Sequence, residues 1–298
     1  FDDFCLNGAK GGFTTGIKSF DEVFSTYTGQ YIVVTGSPSS GKSDWVDQMC
    51  IKYYEKYGWK TAYASPENKP NSIHAHKLMA KLCGEWIKTE EQLKSNWIGN
   101  AKYIISDAFK FVDLERYSLE EVLIKAEQMI FKYGIKVLVI DPYNKVKLKS
   151  SDDTNINKYT NDYLLTIDEF ARKHDILIIL VAHPTKPSKG DVNYEPTFYD
   201  IKGGGEFYDM SPHGILVKRD YEYDLVKIKI LKVKFSHLGQ NDASFYMKWN
   251  KRNGRYSDFM EQRNNPQEMS FPIEDNKNYV DFKKNTIISL QSYNDLPF

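Results

Sequence analysis

The stretch YIVVTGSPSSGKSDWV, residues 31 to 46, decides the fold. Tyr31 to Thr35 is an apolar run that reads as a buried strand. It breaks into a loop of small residues, Gly36, Ser37, Pro38, Ser39, Ser40, Gly41, Lys42 and Ser43. A helical pattern follows at once, with Trp45, Val46, Met49 and Cys50 on one side. Strand, then G-x-x-x-x-G-K-[ST], then helix is the phosphate-binding loop in the context that confirms it. Its backbone N–H groups cradle phosphate oxygens, and the helix N-terminus adds the positive end of its dipole. Gly36 and Gly41 let the backbone turn close to a ligand. Lys42 is expected to reach the β- and γ-phosphates and the Ser43 hydroxyl to ligate Mg²⁺, with Asp44 closing the candidate nucleotide-binding set. From average residue usage, a chance match in a chain this long is roughly a one-percent event.

Downstream, the 43–57 helix stops at Gly58, and Lys60 to Ser65 reads as a second strand followed by Ser65-Pro66-Glu67-Asn68. A carboxylate at the end of a strand beside the P-loop strand would lie near the γ-phosphate, where Glu67 could polarise an attacking water. Helices are expected over 71–84 and 89–98, then a short strand at Tyr103 to Ile105. His74 and His76, two apart, do not share a helix face. An amphipathic helix over 118–133 (Leu119, Val122, Leu123, Ala126, Met129, Ile130) ends at Gly134. Val137 to Ile140 is fully apolar and delivers Asp141, the pattern of a buried parallel strand carrying a carboxylate to the Mg²⁺ shell. A polar loop over 143–155 carries alternating Lys145, Lys147 and Lys149. A helix over 156–174 and a buried strand, Ile176 to Ala182, lead to His183, placed to report a γ-phosphate to the next loop. Residues 184–205 form a long polar loop with Lys186, Lys189, Lys202 and Gly203 to Gly205.

The composition narrows the classes. Lys+Arg and Asp+Glu both number 40, so the formal net charge is +0. Any nucleic acid must therefore meet a local patch or the inside of an assembly, not the whole surface. The three cysteines, Cys5, Cys50 and Cys83, show no paired spacing, which speaks against a disulfide framework or zinc site and for a reducing compartment. No apolar run reaches membrane-spanning length and no signal-peptide pattern is present, so a soluble, cytoplasmic protein is expected. The chain opens on Phe1 rather than Met and reads as a piece of a longer one.

From residue 213 the pattern changes to strands. HGILVKRD, a turn at Tyr221 to Asp224, and LVKIKILKVKF predict an antiparallel hairpin. Its alternation slips at Leu231, which predicts a bulge or a strand end there. Upstream, Thr14-Thr15-Gly16 reads as a cap for a short helix with Ile17, Phe20 and Phe24 apolar. The expected architecture is α/β, a mostly parallel sheet flanked by helices with antiparallel strands added at the C-terminal side. The expected division is a lead-in over 1–28, a core over 29–261 and an extended tail over 262–298.

Together, TTGIKSFDEVF, GSPSSGKSDWVD, SPEN, VLVIDPYNK, VAHPTK, GGGEFY and the strand ending KVKF resemble the helicase domain of the DnaB-like replicative family, in its phage primase-helicase and Twinkle-like branch. The resemblance covers about residues 13 to 256 and implies a RecA-like ATPase. It implies a homo-oligomeric ring, usually a hexamer, that moves 5′-to-3′ along single-stranded DNA with ATP and Mg²⁺. It implies phosphate and Mg²⁺ roles for Lys42 and Ser43, Mg²⁺ support from Asp141, a catalytic carboxylate at Glu67 and a γ-phosphate sensor at His183. The lysines of the loops after Asp141 and His183 would contact DNA phosphates. The family usually ends its late strand in Lys-x-Arg, acting on the neighbour's ATP; here it is Lys232-Val233-Lys234. Lys is not the equivalent of an arginine finger, so either Lys234 substitutes, Arg219 or Arg255 does the job, or turnover is slow. The acidic Pro-Phe ending, Asn294 to Phe298, resembles tips that engage replication partners such as primase, polymerase or single-strand-binding protein. The alternatives in view are a RecA/KaiC-like ATPase that does not unwind DNA, and an ATP-gated DNA-binding ring with poor turnover.

Overall fold

The strands of highest apolar content form the middle of one sheet. In the computed structural model, which describes residues 11–149, 155–185 and 194–259, the nine strands run in the order β3-β2-β4-β5-β1-β6-β7-β8-β9. They are β1 (Gln30–Thr35), β2 (Lys60–Ala64), β3 (Phe109–Phe111), β4 (Ile135–Ile140), β5 (Leu177–Ala182), β6 (His213–Asp220), β7 (Leu225–Val233), β8 (Ser244–Trp249) and β9 (Tyr256–Asp258). β3 through β6 in that order pair in parallel, and β7, β8 and β9 add antiparallel. This is the expected α/β architecture.

The eight α-helices among the described residues are α1 (Lys18–Asp21), α2 (Lys42–Tyr57), α3 (Asn71–Cys83), α4 (Glu90–Leu93), α5 (Asn96–Ala108), α6 (Leu119–Tyr133), α7 (Ile156–His174) and α8 (Gly204–Met210). Parallel central strands are covered on both faces, so they bury side chains in both directions. Ile32 and Val34 of β1, with Val137 and Val139 of β4, join one core cluster with α2 and α3. Tyr31 and Val33, with Leu138 and Ile140, join the other with α6 and α7. Residues 13–28 pack into the first of these clusters, Phe20 meeting the Trp45 ring edge-on at 5.4 Å. The parallel arrangement sends the chain out of β1, β2, β4 and β5 at the same end of the sheet, and this convergence builds the site.

The structure corrects four local expectations. Tyr103 to Ile105 is not a strand; it lies inside α5, and the strand is β3, a few residues later. The β-prone triplet yields to a helical repeat, Ile98, Ala101, Ile105 and Ala108, all buried, because packing overrides local propensity. The helix expected over 89–98 is two pieces, α4 and the start of α5, each with its own N-cap position, Thr89 and Ser95. The glycines at 203–205 do not end a loop: α8 begins at Gly204, with Gly203 as its left-handed N-cap residue. Thr15 does not cap α1; the Asp21 carboxylate instead accepts hydrogen bonds from the backbone N–H groups of Thr15 and Gly16. The slip at Leu231 is a bulge: Gly214 pairs with Lys232 and Ile215 with Ile230, leaving Leu231 over. Val226, Ile228 and Ile230 face the first cluster, and Leu231 packs against the second.

Candidate nucleotide site

The loop from β1 to α2 needs backbone conformations that a Cβ would obstruct. Gly36 has φ +150° and Gly41 φ +93°. A Cβ on Gly36 would run into the Val217 carbonyl, and one on Gly41 into the Tyr256 hydroxyl. Gly41 is the N-cap of α2, and no side chain caps that end. The uncapped N–H groups suit an anion. Lys42 is 4% exposed; its Nζ donates to the carbonyls of Gly36 at 2.8 Å and Ser37 at 2.9 Å. Burial pushes its pKa down to about 8, with Asp141 and Glu67 working in the other direction.

Across the cleft, Ser43 Oγ donates to Asp141 Oδ2 at 2.7 Å, joining the start of α2 to the end of β4. Asp141 is buried, and burial raises its pKa against the Ser43 hydrogen bond. Ser65 Oγ donates to the Asp141 carbonyl at 3.1 Å, and Asn68 Nδ2 donates to Ser65 Oγ at 2.7 Å, tying the end of β2 to the same corner. Glu67 Oε2 and His183 Nε2 stand 3.8 Å apart. Burial, and then the Lys42 charge, hold His183 below its ordinary pKa against the pull of Glu67, so its imidazole is neutral near pH 7. Four connections thus place Lys42, Ser43, Glu67, Asp141 and His183 around one cleft.

The far wall joins Arg219, named from the sequence as a candidate finger, to two aromatic residues to which the sequence offered little guide. Arg219, Trp249 and Tyr256 line the cleft opposite the carboxylates. The Arg219 guanidinium lies 4.8 Å from the Trp249 ring centroid and donates to Asp224 at 2.5 Å. The Tyr256 hydroxyl donates to the Gly41 carbonyl at 3.0 Å. Trp249 and Tyr256 sit on short antiparallel strands with no motif around them; only the sheet order brings them beside the loop. Arg219 faces its own chain's cleft. Arg255 is engaged elsewhere, its guanidinium donating to the carbonyls of Lys81 and Leu82 at the end of α3.

Lys232 and Lys234 lie at the other end of the sheet. Val233 pairs with His213, which pairs with Ile32 near the start of β1, whereas the phosphate loop leaves after Thr35. Lys232 Nζ donates to the Tyr208 carbonyl, and burial lowers its pKa. His213 beside them is pushed down to about 4 by burial and by the two lysines. Lys145, Lys147 and Lys149 are exposed while Val146 between them is buried. Lys149 Nζ pairs with Glu121 at 2.5 Å. Lys202 is exposed just before α8. Lys186 and Lys189, like the tail over 262–298, lie outside the described residues.

Among the described residues no group of three or more His, Cys, Asp or Glu side chains could hold a metal by itself. A hydroxyl and one buried carboxylate are hard oxygen donors, and they fit Mg²⁺, which completes its shell with phosphate and water. No helix among the described residues is long and apolar enough to cross a membrane.

Residues 13–190 match the family model described as "ATPase: KaiC". The chain belongs to the KaiC family of ATPases. This KaiC-family domain is 33% identical over 267 residues to the Twinkle homolog protein, chloroplastic/mitochondrial, of Arabidopsis thaliana, covering 85% of this chain and 37% of that protein. It is 22% identical over 252 residues to the DNA helicase/primase of Enterobacteria phage T3, covering 78% of this chain and 43% of that one. The chain thus spans about two-fifths of the length of these curated relatives. Among solved structures, one described as an ATPase domain superposes with a TM-score of 0.72 at 15% identity, over 86% of this chain and 95% of that one. A DnaB-like replicative helicase, studied with its primase interactions, gives 0.72 at 15% identity over 86% of this chain and 66% of that one. These likenesses establish the RecA-like fold of the KaiC-family domain, and the relatives are those to which the sequence resemblance pointed.

Proposed function

We propose that this domain is the ATP-hydrolysing motor of a replicative DNA helicase, working as a ring that moves 5′-to-3′ on single-stranded DNA. The observation that carries the reading is the convergence of Lys42, Ser43, Glu67, Asp141 and His183 on one cleft, in a chain whose relatives are named helicases. In this reading the loop N–H groups and Lys42 hold the ATP phosphates, and Lys42 exchanges its two carbonyl contacts for phosphate oxygens. Ser43 and Asp141 would hold Mg²⁺, which would supply charge neutralisation for the phosphates. Glu67 orients and polarises the attacking water, accepting its proton as the new bond to the γ-phosphorus forms and the bond to the bridging oxygen breaks, with ADP as the leaving group. His183, neutral and in contact with Glu67, donates to the γ-phosphate and senses its loss. Arg219, Trp249 and Tyr256 form the wall beside which the base would lie. Lys232 and Lys234 point away from their own cleft, so a part in ATP chemistry requires a second copy of the chain. Lys145, Lys147, Lys149, Lys186, Lys189 and Lys202 are the proposed DNA contacts, and the C-terminal tail the proposed partner-binding element.

The match to the KaiC description favours a second reading, a RecA/KaiC-like ATPase that does not unwind DNA. Steady-state ATP hydrolysis with and without single-stranded DNA, with Lys42→Ala as the blank, followed by strand displacement, separates the two. Strong DNA stimulation with displacement supports the motor. Hydrolysis indifferent to DNA supports the second reading. DNA binding that depends on ATP but lacks turnover points to a gated ring in which Lys234 fails as a finger.

A further inference from the structure

The helix that follows the phosphate loop buries polar side chains where a helix of this kind would ordinarily bury apolar ones. Asp44, Asp47, Gln48 and Lys52 share one face of α2 by spacing, and Asp47, Gln48 and Lys52 are 2%, 1% and 6% exposed. Each has a partner. Gln48 exchanges two hydrogen bonds with the backbone of Tyr256, at 2.6 and 2.7 Å. Asp44 pairs with Lys81 at 3.2 Å. Lys52 pairs with Glu55 at 2.8 Å. Asp47 meets His74 Nε2 at 2.8 Å, with both side chains 3% exposed.

The last contact has the widest reach. His74 belongs to α3, the helix entered directly from the segment that carries Glu67 and Asn68. Its ring also packs edge-on against Tyr63 of β2, at 4.5 Å between centroids, and against Phe111 of β3, at 5.4 Å. β2 leads into that segment and α3 leads out of it. One imidazole therefore pins both ends of the Ser65–Pro70 connection and bonds it to the helix that presents Lys42 and Ser43. The N-cap position of α3 is Pro70, with no side-chain cap, so no side chain at the cap itself holds the start of the helix. An apolar side chain would fill the same space without the desolvation cost of a buried pair. What it would lack is a directional bond that sets α3 in one register on α2.

We infer that His74, held by Asp47, is a positioning residue for Glu67, fixing the carboxylate against the phosphate loop through α3. The inference rests on the reading of Glu67 as the group that polarises water. Burial alone would lower His74 and raise Asp47, but each charge and the hydrogen bond between them outweigh burial, so His74 stands above and Asp47 below its ordinary value.

The test compares His74→Phe, which keeps a ring and deletes the bond, with His74→Gln, whose side-chain amide can donate to Asp47 from nearly the same place. Both are made in the full chain and again on a Glu67→Gln background. A misplaced catalytic group costs rate more than binding, so His74→Phe should lower kcat about tenfold while affinity for a fluorescent ADP analogue with Mg²⁺ stays within about twofold. His74→Gln should recover to within about threefold of the parent. Because residues acting through one group are not additive, the His74→Phe loss should vanish in single-turnover hydrolysis on the Glu67→Gln background. Unchanged kcat in His74→Phe, no recovery with Gln, or an equal loss on both backgrounds overturns the inference. If His74→Phe does not fold, Asp47→Asn takes its place, with an expected loss of about threefold; no loss there overturns it equally. Glu67→Gln by itself tests the underlying reading: wild-type turnover sinks the assignment of Glu67, whereas a deep loss beside a neutral His74→Phe sinks only the present inference.

Discussion

At the scale of single residues, the cleft is a set of groups whose surroundings set their charge. Glu67 is half in solvent, 3.8 Å from His183, where water can reach its carboxylate. Glu67→Gln is expected to lower kcat by about 10²-fold or more, in the range for loss of a general base, while nucleotide affinity holds; steady-state rates beside equilibrium binding check this. The Asp47–His74 pair has a pH signature. His74 has its folded pKa raised, so its contribution to stability is full below the ordinary imidazole value and fades as pH rises through the folded value. Asp47 has its folded pKa lowered, so its contribution is present above the ordinary carboxylate value and fades as pH falls through the folded one. The pair therefore stabilises most between the two ordinary values, 3.8 and 6.5. Lys77 opposes the charge on His74, and Asp141 supports it. His74→Gln should lose less stability than the parent as pH climbs from about 6 to 9, read as Tm across that range; parallel curves would contradict an ionised pair.

At the scale of elements, the late strands lock the early ones. β9 carries Tyr256 onto the phosphate loop, and Arg255 beside it clamps the last carbonyls of α3. Lys81, 1% exposed, returns the tie by donating to the Gly254 carbonyl. Arg255→Met keeps much of the stem and removes two charge-assisted bonds at 2.6 and 3.1 Å. It should cost about 2 kcal/mol, seen as a lower urea midpoint with an unchanged slope. The hairpin shows how much an element's pattern can say. The slip in phase at Leu231 was visible in the sequence because alternation is strict along a strand, and the bulge fell there. Tyr103 to Ile105 shows the opposite: three β-prone residues in a row could not reveal that α3 would receive the buried face of a helix instead.

At the scale of the whole molecule, a balanced net charge would leave the proposed DNA binding to local groups in the connections at the end of the sheet. Each lysine that displaces counterions from single-stranded DNA adds roughly 0.7 to the slope of log affinity against log salt. Lys145→Ala should lower that slope by about this amount. Lys149→Ala should lower it less, because its Nζ is engaged by Glu121. Titrations of a fluorescent oligonucleotide over a range of salt check both; equal effects would mean that the Glu121 pair opens on DNA. In the proposed ring, Lys232 and Lys234 would face the neighbouring copy. Mixing Lys234→Ala chains with Lys42→Ala chains should give more hydrolysis than either variant alone if the lysine acts across the interface, and no more if it acts within its own chain.

The sequence by itself determined the strand–loop–helix of the phosphate site, the buried strands that deliver Asp141 and His183, and the hairpin with its slip in phase. Those features are written in short-range order: apolar runs, the spacing of glycines, the alternation of a strand. It also placed Glu67, because a carboxylate after a strand is a local pattern once the loop is known. Only the tertiary structure decided that Trp249 and Tyr256 face Gly41 from more than two hundred residues away, that Arg219 faces its own cleft, and that Asp47 and His74 are a buried pair. Asp47 reads as a solvent-facing helix charge and His74 as an ordinary helix side chain until the packing of α3 on α2 takes both from water. Charge and burial depend on what lies across the interface, and no spacing along the chain encodes that neighbour.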